Sequence, residues 1–428
     1  MSNDSSPTKK LAVYLNKIFT GTFEQNLSGG ALSFTYDPSY LKSKNAVQLS
    51  ISLPLRSEPF GNNIVKAFFS GLLPDGEQLK LLAEKLKLSE RSPFALLFEV
   101  GRDCAGAIEI LPPREKLPTY LEGSTQALSA DQLYEILKKD HSSSLFVGNK
   151  KTRLSLAGAQ RKFAVFFDET VDSLPELVVE KPSTHILKPL MPRHADSVHN
   201  ELFCMKLAKE FGLDVAEVFF KQIKDRAYLL IRRYDRAKNG KGIITRIHQE
   251  DFCQALGLRP EQKYQGIDGG PGIATCKELI TQHSSHPIFD QYRFLRIIIF
   301  NYLIGNSDAH GKNFSFLYDA DGIRLAPFYD LISTTLYEQY DSSMAMKIGR
   351  SHDPERTILV HWHDIVADTN TARNHLNKEL KTFATKLPKA ADNLKHQLAK
   401  QGIESEVFDV IIKLINKRAA RILGYFKD

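Results

Sequence analysis

The stretch Gly305-Asn-Ser-Asp308-Ala-His310-Gly-Lys-Asn313-Phe-Ser-Phe316 decides how this chain is read. It follows Phe294 to Ile304, an apolar run interrupted by Arg296 and Asn301, so a buried helix is predicted to deliver a polar loop. Asp308 and Asn313 stand in the Asp-x-x-x-x-Asn spacing of a kinase catalytic loop. The spacing has a chemical logic. A carboxylate there accepts a hydroxyl proton, and the amide oxygen of Asn313 holds a magnesium ion that bridges ATP phosphates.

Downstream, Phe314 to Tyr318 reads as a strand, Asp319-Ala-Asp-Gly322 as a turn and Ile323 to Ala326 as a returning strand. This hairpin leads to Pro327-Phe-Tyr-Asp330, a carboxylate placed just after a strand, where a kinase carries the magnesium-binding Asp of Asp-Phe-Gly. The Phe and Gly of that motif are absent. Turn and helix capping would account for Asp308 and Asp330 singly, but not for the set.

Upstream, Lys188 ends the strand-like run His185-Ile-Leu-Lys188 and is the candidate cation for the transferred phosphates. Glu201, opening the next helix, is its candidate partner. Arg153-Leu-Ser155-Leu-Ala157-Gly158-Ala-Gln-Arg-Lys162 combines small residues, a hydroxyl and bases, which suits a phosphate-covering loop. It matches neither a Walker A nor a Gly-x-Gly-x-x-Gly pattern.

The 428 residues are 42% hydrophobic and 25% charged, which implies a soluble globular protein of several packed units and excludes disordered and fibrous classes. Phe294 to Ile304 is far shorter than the roughly 20 residues of a membrane span. The polar N-terminus Met1 to Lys10 lacks an apolar core, so no secretory signal is read and a cytoplasmic location is expected. Cys104, Cys204, Cys253 and Cys276 are widely spaced, as buried small hydrophobes are.

Three segments are expected. Residues 1–145 form an α+β unit with strands Leu11 to Leu15, Val47 to Leu53 and Ala107 to Leu111 around a helix Gln78 to Leu88, ending in a helix Ser129 to Lys139 and the polar linker His141 to Ser144. Residues 146–234 form a mixed nucleotide-binding lobe: strands Phe163 to Phe167, His185 to Leu187, Val218 to Ile223 and Ala227 to Ile231 around a helix Asn200 to Phe211. Residues 235–428 are mostly helical, with helices Phe252 to Gly257, Phe289 to Gly305, Asn374 to Leu387 and Glu404 to Gly424. The fold class is therefore α+β, bilobed and protein-kinase-like. The net charge of +7 is compatible with an acidic or nucleic-acid partner. In the segment Phe408 to Phe426, Lys413, Lys417 and Arg421 share a face opposite an apolar stripe, and that face could approach DNA phosphates.

Taken together, Ser155-Leu-Ala-Gly-Ala-Gln160, His185-Ile-Leu-Lys188, Asn200-Glu-Leu-Phe-Cys204, Asp268-Gly-Gly-Pro-Gly272, Gly305 to Phe314 and Pro327-Phe-Tyr-Asp330 resemble the HipA toxin-kinase family. Gly71-Leu-Leu-Pro-Asp75 and Gly101-Arg-Asp103 with Gly106-Ala107 resemble that family's N-terminal domain. The resemblance implies a serine/threonine kinase using ATP and Mg2+, with Asp308 as base, Asn313 and Asp330 as magnesium ligands and Lys188 on the ATP phosphates. It implies an adenine-holding backbone hinge at Arg232 to Tyr234 with Asp235 near the ribose, a phosphate loop including Ala157 and Gly158, and inhibitory autophosphorylation of Ser155. Arg161 departs from the glutamate common at its place. The resemblance further implies a helix-turn-helix antitoxin, HipB, that carries the kinase onto operator DNA. The implied substrate is an aminoacyl-tRNA synthetase, glutamyl-tRNA synthetase being the best-known case, with translation arrest and persistence as consequences.

Three other readings are open. His361-Trp-His363-Asp364 with Asp308 and His310 could form a hydrolase metal site if the His-x-His pair lies on a strand. The chain could act only as a corepressor, or phosphorylate a small molecule.

Overall fold

The computed structural model describes residues 8–115, 117, 125–138, 160–171, 174–178, 182–191, 194, 196–238, 243–266, 268–337 and 341–427. By packing, the chain divides into two compact units that interleave along the sequence. One comprises Met1–Pro189, Gln222–Pro260 and Ser315–Asp321, the other Leu190–Lys221, Glu261–Phe314 and Gly322–Asp428. The expected boundary near 145 lies outside the described residues.

In the first unit, alternation of Leu11, Val13 and Leu15 puts every second side chain of the second half of the strand Thr8–Leu15 into a core. An antiparallel sheet results, in the order Leu32–Tyr36, Ile18–Asn26, Thr8–Leu15, Ile108–Leu111. Leu11 faces Phe23 across the strands, and Phe23 faces Phe34. A Cβ on Gly21 would lie 2.3 Å from the Thr35 carbonyl and 2.8 Å from the Phe34 ring, so glycine permits this close pairing. Helices Asn62–Gly71 and Pro93–Val100 add Phe68, Phe69 and Phe94 to the same core, with Phe23 stacked on Phe69 at 4.0 Å.

The expected strand Val47 to Leu53 is not formed. The Leu49 amide donates to the Tyr36 hydroxyl, which itself donates to the Leu53 carbonyl, and the Ile51 amide donates to Glu250. Side chains thus take the hydrogen bonds a neighbouring strand would have supplied.

The same unit holds a second sheet, in which Thr125–Gln126, Glu176–Val178, Phe163–Phe166, His185–Pro189 and Arg226–Arg232 lie side by side in that order. Its central pair is antiparallel, with Lys188 opposite Leu229 and His185 opposite Arg232.

The second unit is mostly helical. Its helix Pro287–Ile304 starts on a proline at the first turn and buries Phe294, Ile297, Ile299, Phe300, Leu303 and Ile304, so it is a core helix apolar on nearly all sides. Against it pack the helices Ile273–His283, Asn370–Lys400 and Val407–Gly424, and Ser197–Glu210 packs on the last two. Among the described residues no helix is long and apolar enough to cross a membrane.

Candidate active site

The core helix ends at Gly305, whose φ of 77° is left-handed and where a Cβ would meet Thr335 Oγ1 at 2.3 Å. Several hydrogen bonds then fix the loop that follows. The Thr334 and Thr335 amides donate to the Gly305 carbonyl at 3.0 and 3.1 Å, the Ser307 amide to Thr334 Oγ1 at 2.7 Å and the Ala345 amide to the Ser307 carbonyl at 2.8 Å. Asn306 donates its side-chain amide to Asn301 and accepts from the Asp308 amide. The loop closes on the short turn Gly311–Asn313, where Asn313 Nδ2 donates to the Asp308 carbonyl at 3.1 Å. This leaves the amide oxygen of Asn313 on the other side of its side chain.

Asp308 is solvent-accessible, yet enough protein surrounds it that desolvation raises its carboxyl pKa. The Tyr264 hydroxyl, donating to Asp308 Oδ1 at 2.6 Å, and the charge of Lys263 pull the other way, and the negative charge of Asp330 adds to the rise. His310 is buried, and its pKa is pushed well below the usual value by that burial and by Lys263 and Lys312, so it is neutral.

Asp330 arrives by a separately held segment. Arg293 donates to the Leu325 and Ala326 carbonyls at 2.7 and 3.2 Å and pairs with Asp290 and Asp214. Asp290 also accepts from the Leu325 amide. Backbone bonds from Asp214 and Ala216 grip Phe328, and the Tyr329 hydroxyl donates to the Lys312 carbonyl. Beyond the carboxylate, Asn200 holds Ser333 from both sides, accepting from its amide at 2.8 Å and donating to its carbonyl at 3.0 Å. Between these clamps Asp330 takes a left-handed backbone with φ of 59°, a conformation that non-glycine residues keep where their surroundings dictate it.

These donors suit a hard divalent cation such as magnesium, because they are carboxylate and amide oxygens. Among the described residues no three His, Cys, Asp or Glu side chains cluster as a metal site.

The other expected residues divide. Lys188 is buried on its strand in the first unit, and Glu201 is buried on the helix Ser197–Glu210 in the second. Arg232 makes a two-pronged ion pair with Glu169, which also faces His185 Nε2 at 3.1 Å. Tyr234 donates its hydroxyl to Gln249. Ser155, Ala157 and Gly158 lie outside the described residues, while Arg161 donates to the Ile136 carbonyl at 2.7 Å. Asp235 is 2% exposed, and its carboxylate accepts from Arg233, the Gly106 amide and Gln249 while facing Arg236 at 3.0 Å.

The His-x-His segment falls on the helix Leu359–His363, where alternate side chains point apart; Trp362 is buried and His363 Nε2 bonds Asn377. The hydrolase site therefore does not form. Lys417 and Arg421 share one acidic partner, Glu355, at 3.0 and 2.7 Å, so part of the positive charge expected on the last helix is offset. Sequence reading missed Tyr264 and Arg293 and gave Asn200, though part of a quoted motif, no role; the three hold the two carboxylate segments.

The HipA-like C-terminal domain family matches residues 154–392, and the HipA N-terminal domain family matches residues 11–111. The serine/threonine-protein kinase toxin HipA of Shewanella oneidensis is 30% identical over 398 residues, covering 90% of this chain and 89% of that relative. The protein Y4mE of Sinorhizobium fredii is 42% identical over 344 residues, covering 79% of this chain and 81% of its own length. A solved complex of the S. oneidensis toxin–antitoxin system, HipA with HipB and operator DNA, contains a chain that matches with a TM-score of 0.81 at 27% identity, over 97% of this chain and 98% of that one. With the α+β fold and the paired carboxylate segments, these matches define a kinase. The chain belongs to the HipA family, as a kinase of the HipA toxin type.

Proposed function

We propose that the protein is an ATP- and magnesium-dependent serine/threonine protein kinase in which Asp308 takes the proton of the acceptor hydroxyl. Asn313 and Asp330 would hold Mg2+, which when bound neutralises charge on the phosphates, and Lys188 meets those phosphates. The backbone of Arg232 to Tyr234 holds adenine, and the loop with Ser155, Ala157 and Gly158 covers the phosphates. The carrying observation is that one tightly anchored loop holds Asp308 and Asn313 together, with Asn313 Nδ2 donating to the Asp308 carbonyl, while clamps on either side hold Asp330 in a left-handed backbone.

The matched S. oneidensis complex supports a toxin that works with a HipB-type antitoxin and reaches operator DNA through it. Family resemblance supports an aminoacyl-tRNA synthetase as substrate, glutamyl-tRNA synthetase first, with translation arrest and dormancy following in the cytoplasm. It also supports self-inhibition by phosphorylation of Ser155.

The test is incubation of the purified protein with ATP, Mg2+ and a cell lysate, followed by phosphopeptide mapping. A synthetase phosphopeptide and a phosphorylated Ser155 are expected. Asp308→Asn and Asp330→Ala should each lower turnover by roughly 10²–10⁴-fold, the worth of a positioned proton acceptor or an assembled metal site. Near-wild-type transfer by either variant sinks the site, and phosphate gain unchanged in Ser155→Ala sinks the self-inhibition. A corepressor or a small-molecule phosphotransferase would label no protein.

A further inference from the structure

We infer that Tyr264 is a positioning residue for phosphotransfer: its hydroxyl, held on Oδ1 of Asp308 at 2.6 Å, fixes the carboxylate so that Oδ2 faces the acceptor. The inference rests on Asp308 being the base proposed above. Among the described residues Oδ2 carries no hydrogen bond, so the two oxygens are unequal, one engaged and one open.

The tyrosine is itself held in place. The Gly311 amide, within the catalytic loop, donates to the Lys263 carbonyl at 3.3 Å, and the Gly270 and Asp268 amides donate to the Tyr264 carbonyl at 2.9 and 3.2 Å. At Gly270 a Cβ would come within 2.7 Å of Lys263 and 2.8 Å of the Tyr264 amide nitrogen, so the Asp268-Gly-Gly-Pro-Gly272 turn packs directly on the tyrosine's backbone. The Gln265 amide donates to the Ala345 carbonyl, and the Lys347 amide to Gln265 Oε1. Next to the base, the buried His310 ring meets the Tyr264 ring edge-on at 5.1 Å, which restricts the phenol's swing. A donor anchored this way reduces the rotamers of an otherwise mobile carboxylate, and holding a reacting group in its attack geometry lowers the barrier without changing nucleotide binding.

The experiment compares wild type, Tyr264→Phe, Asp308→Asn and the double variant, reading initial phosphate transfer from ATP to heat-treated lysate protein together with KM for ATP. Tyr264→Phe should lower kcat by about tenfold with KM for ATP within about twofold of wild type. In the Asp308→Asn background it should cost nothing further, since its effect runs through that carboxylate. An equal loss in both backgrounds would reveal a merely structural role, unchanged turnover would remove the role, and faster turnover would make the phenol a competitor of the acceptor; each overturns the inference. Crystal structures of wild type and Tyr264→Phe give a readout independent of activity. One Asp308 rotamer in wild type and several in the variant are expected, and a single shared rotamer would refute the positioning. If wild type transfers no phosphate, the proposed function fails, and the rotamer comparison still decides the contact.

Discussion

Asp103 shows what a single buried carboxylate does in this protein. It faces Arg246 at 2.9 Å, Arg236 at 2.8 Å and Arg233 at 3.8 Å, and it accepts from Ser183 Oγ. Burial would raise its pKa, but the three guanidiniums hold it at about 2, against 3.8 for the free side chain. Asp235 is depressed by Arg233 and Arg236 in the same cluster. A folded pKa below the unfolded one contributes stability that is present above about pH 4 and is lost as pH falls through about 2. For Asp103 the contribution is about 2 kcal/mol. Asp103→Asn should cost roughly 3–5 kcal/mol at pH 7, because it strands buried positive charge, and its deficit relative to wild type should shrink between pH 4 and pH 2. Urea denaturation of both proteins across that range checks this, and a deficit constant with pH would show that the carboxylate's charge is not what the cluster uses.

At the scale of the element, the buried helix ending at a polar loop was legible because an apolar run stops at Gly305 and polar residues follow, and the helix at Gln78 was legible because its apolar residues recur at helical spacing. Tyr264 was not legible. It reaches Asp308 from 44 residues away with no repeating pattern to mark it. Val47 to Leu53 misled because its hydrogen bonds go to Tyr36 and Glu250, distant side chains that alternation cannot reveal. The helix expected to stop at Leu387, before Pro388, instead runs Asn370–Lys400. Tertiary packing overrides the proline: Phe383 and Leu387 are followed on the same stripe by Ala391, Leu394 and Leu398, all buried. Pro388 still lacks the amide for the Ala384 carbonyl, a defect worth about 3 kcal/mol inside a helix, offset in part by a stiffer unfolded chain. Pro388→Ala should therefore stabilise the protein by about 1–2 kcal/mol, read as a higher urea midpoint; destabilisation would mean that the ring's own packing outweighs the missing bond.

For the whole molecule, a net charge of +7 matters only where it is concentrated. On the last helix Glu355 offsets part of the charge of Lys417 and Arg421. The helix Asn370–Lys400 concentrates charge. Lys378, Lys381, Lys386, Lys389 and Lys400 are all exposed, and at 100° per residue they fall within an arc of about 140°. Such a stripe suits a regular polyanion better than a compact ligand, and if the proposed antitoxin carries this chain to operator DNA, the stripe is where phosphate contacts would be added. Each phosphate neutralised releases counterions and adds about 0.9 to the slope of log affinity against log salt. Changing Lys386 and Lys389 together to Glu should lower that slope by about 2 for the kinase–antitoxin complex on operator DNA, leave the preference for operator over random DNA unchanged, and leave phosphate transfer intact. Fluorescence anisotropy over a salt series measures the slope. An unchanged slope would assign the DNA contact to the antitoxin alone, and a changed sequence preference would mean that these lysines reach base edges.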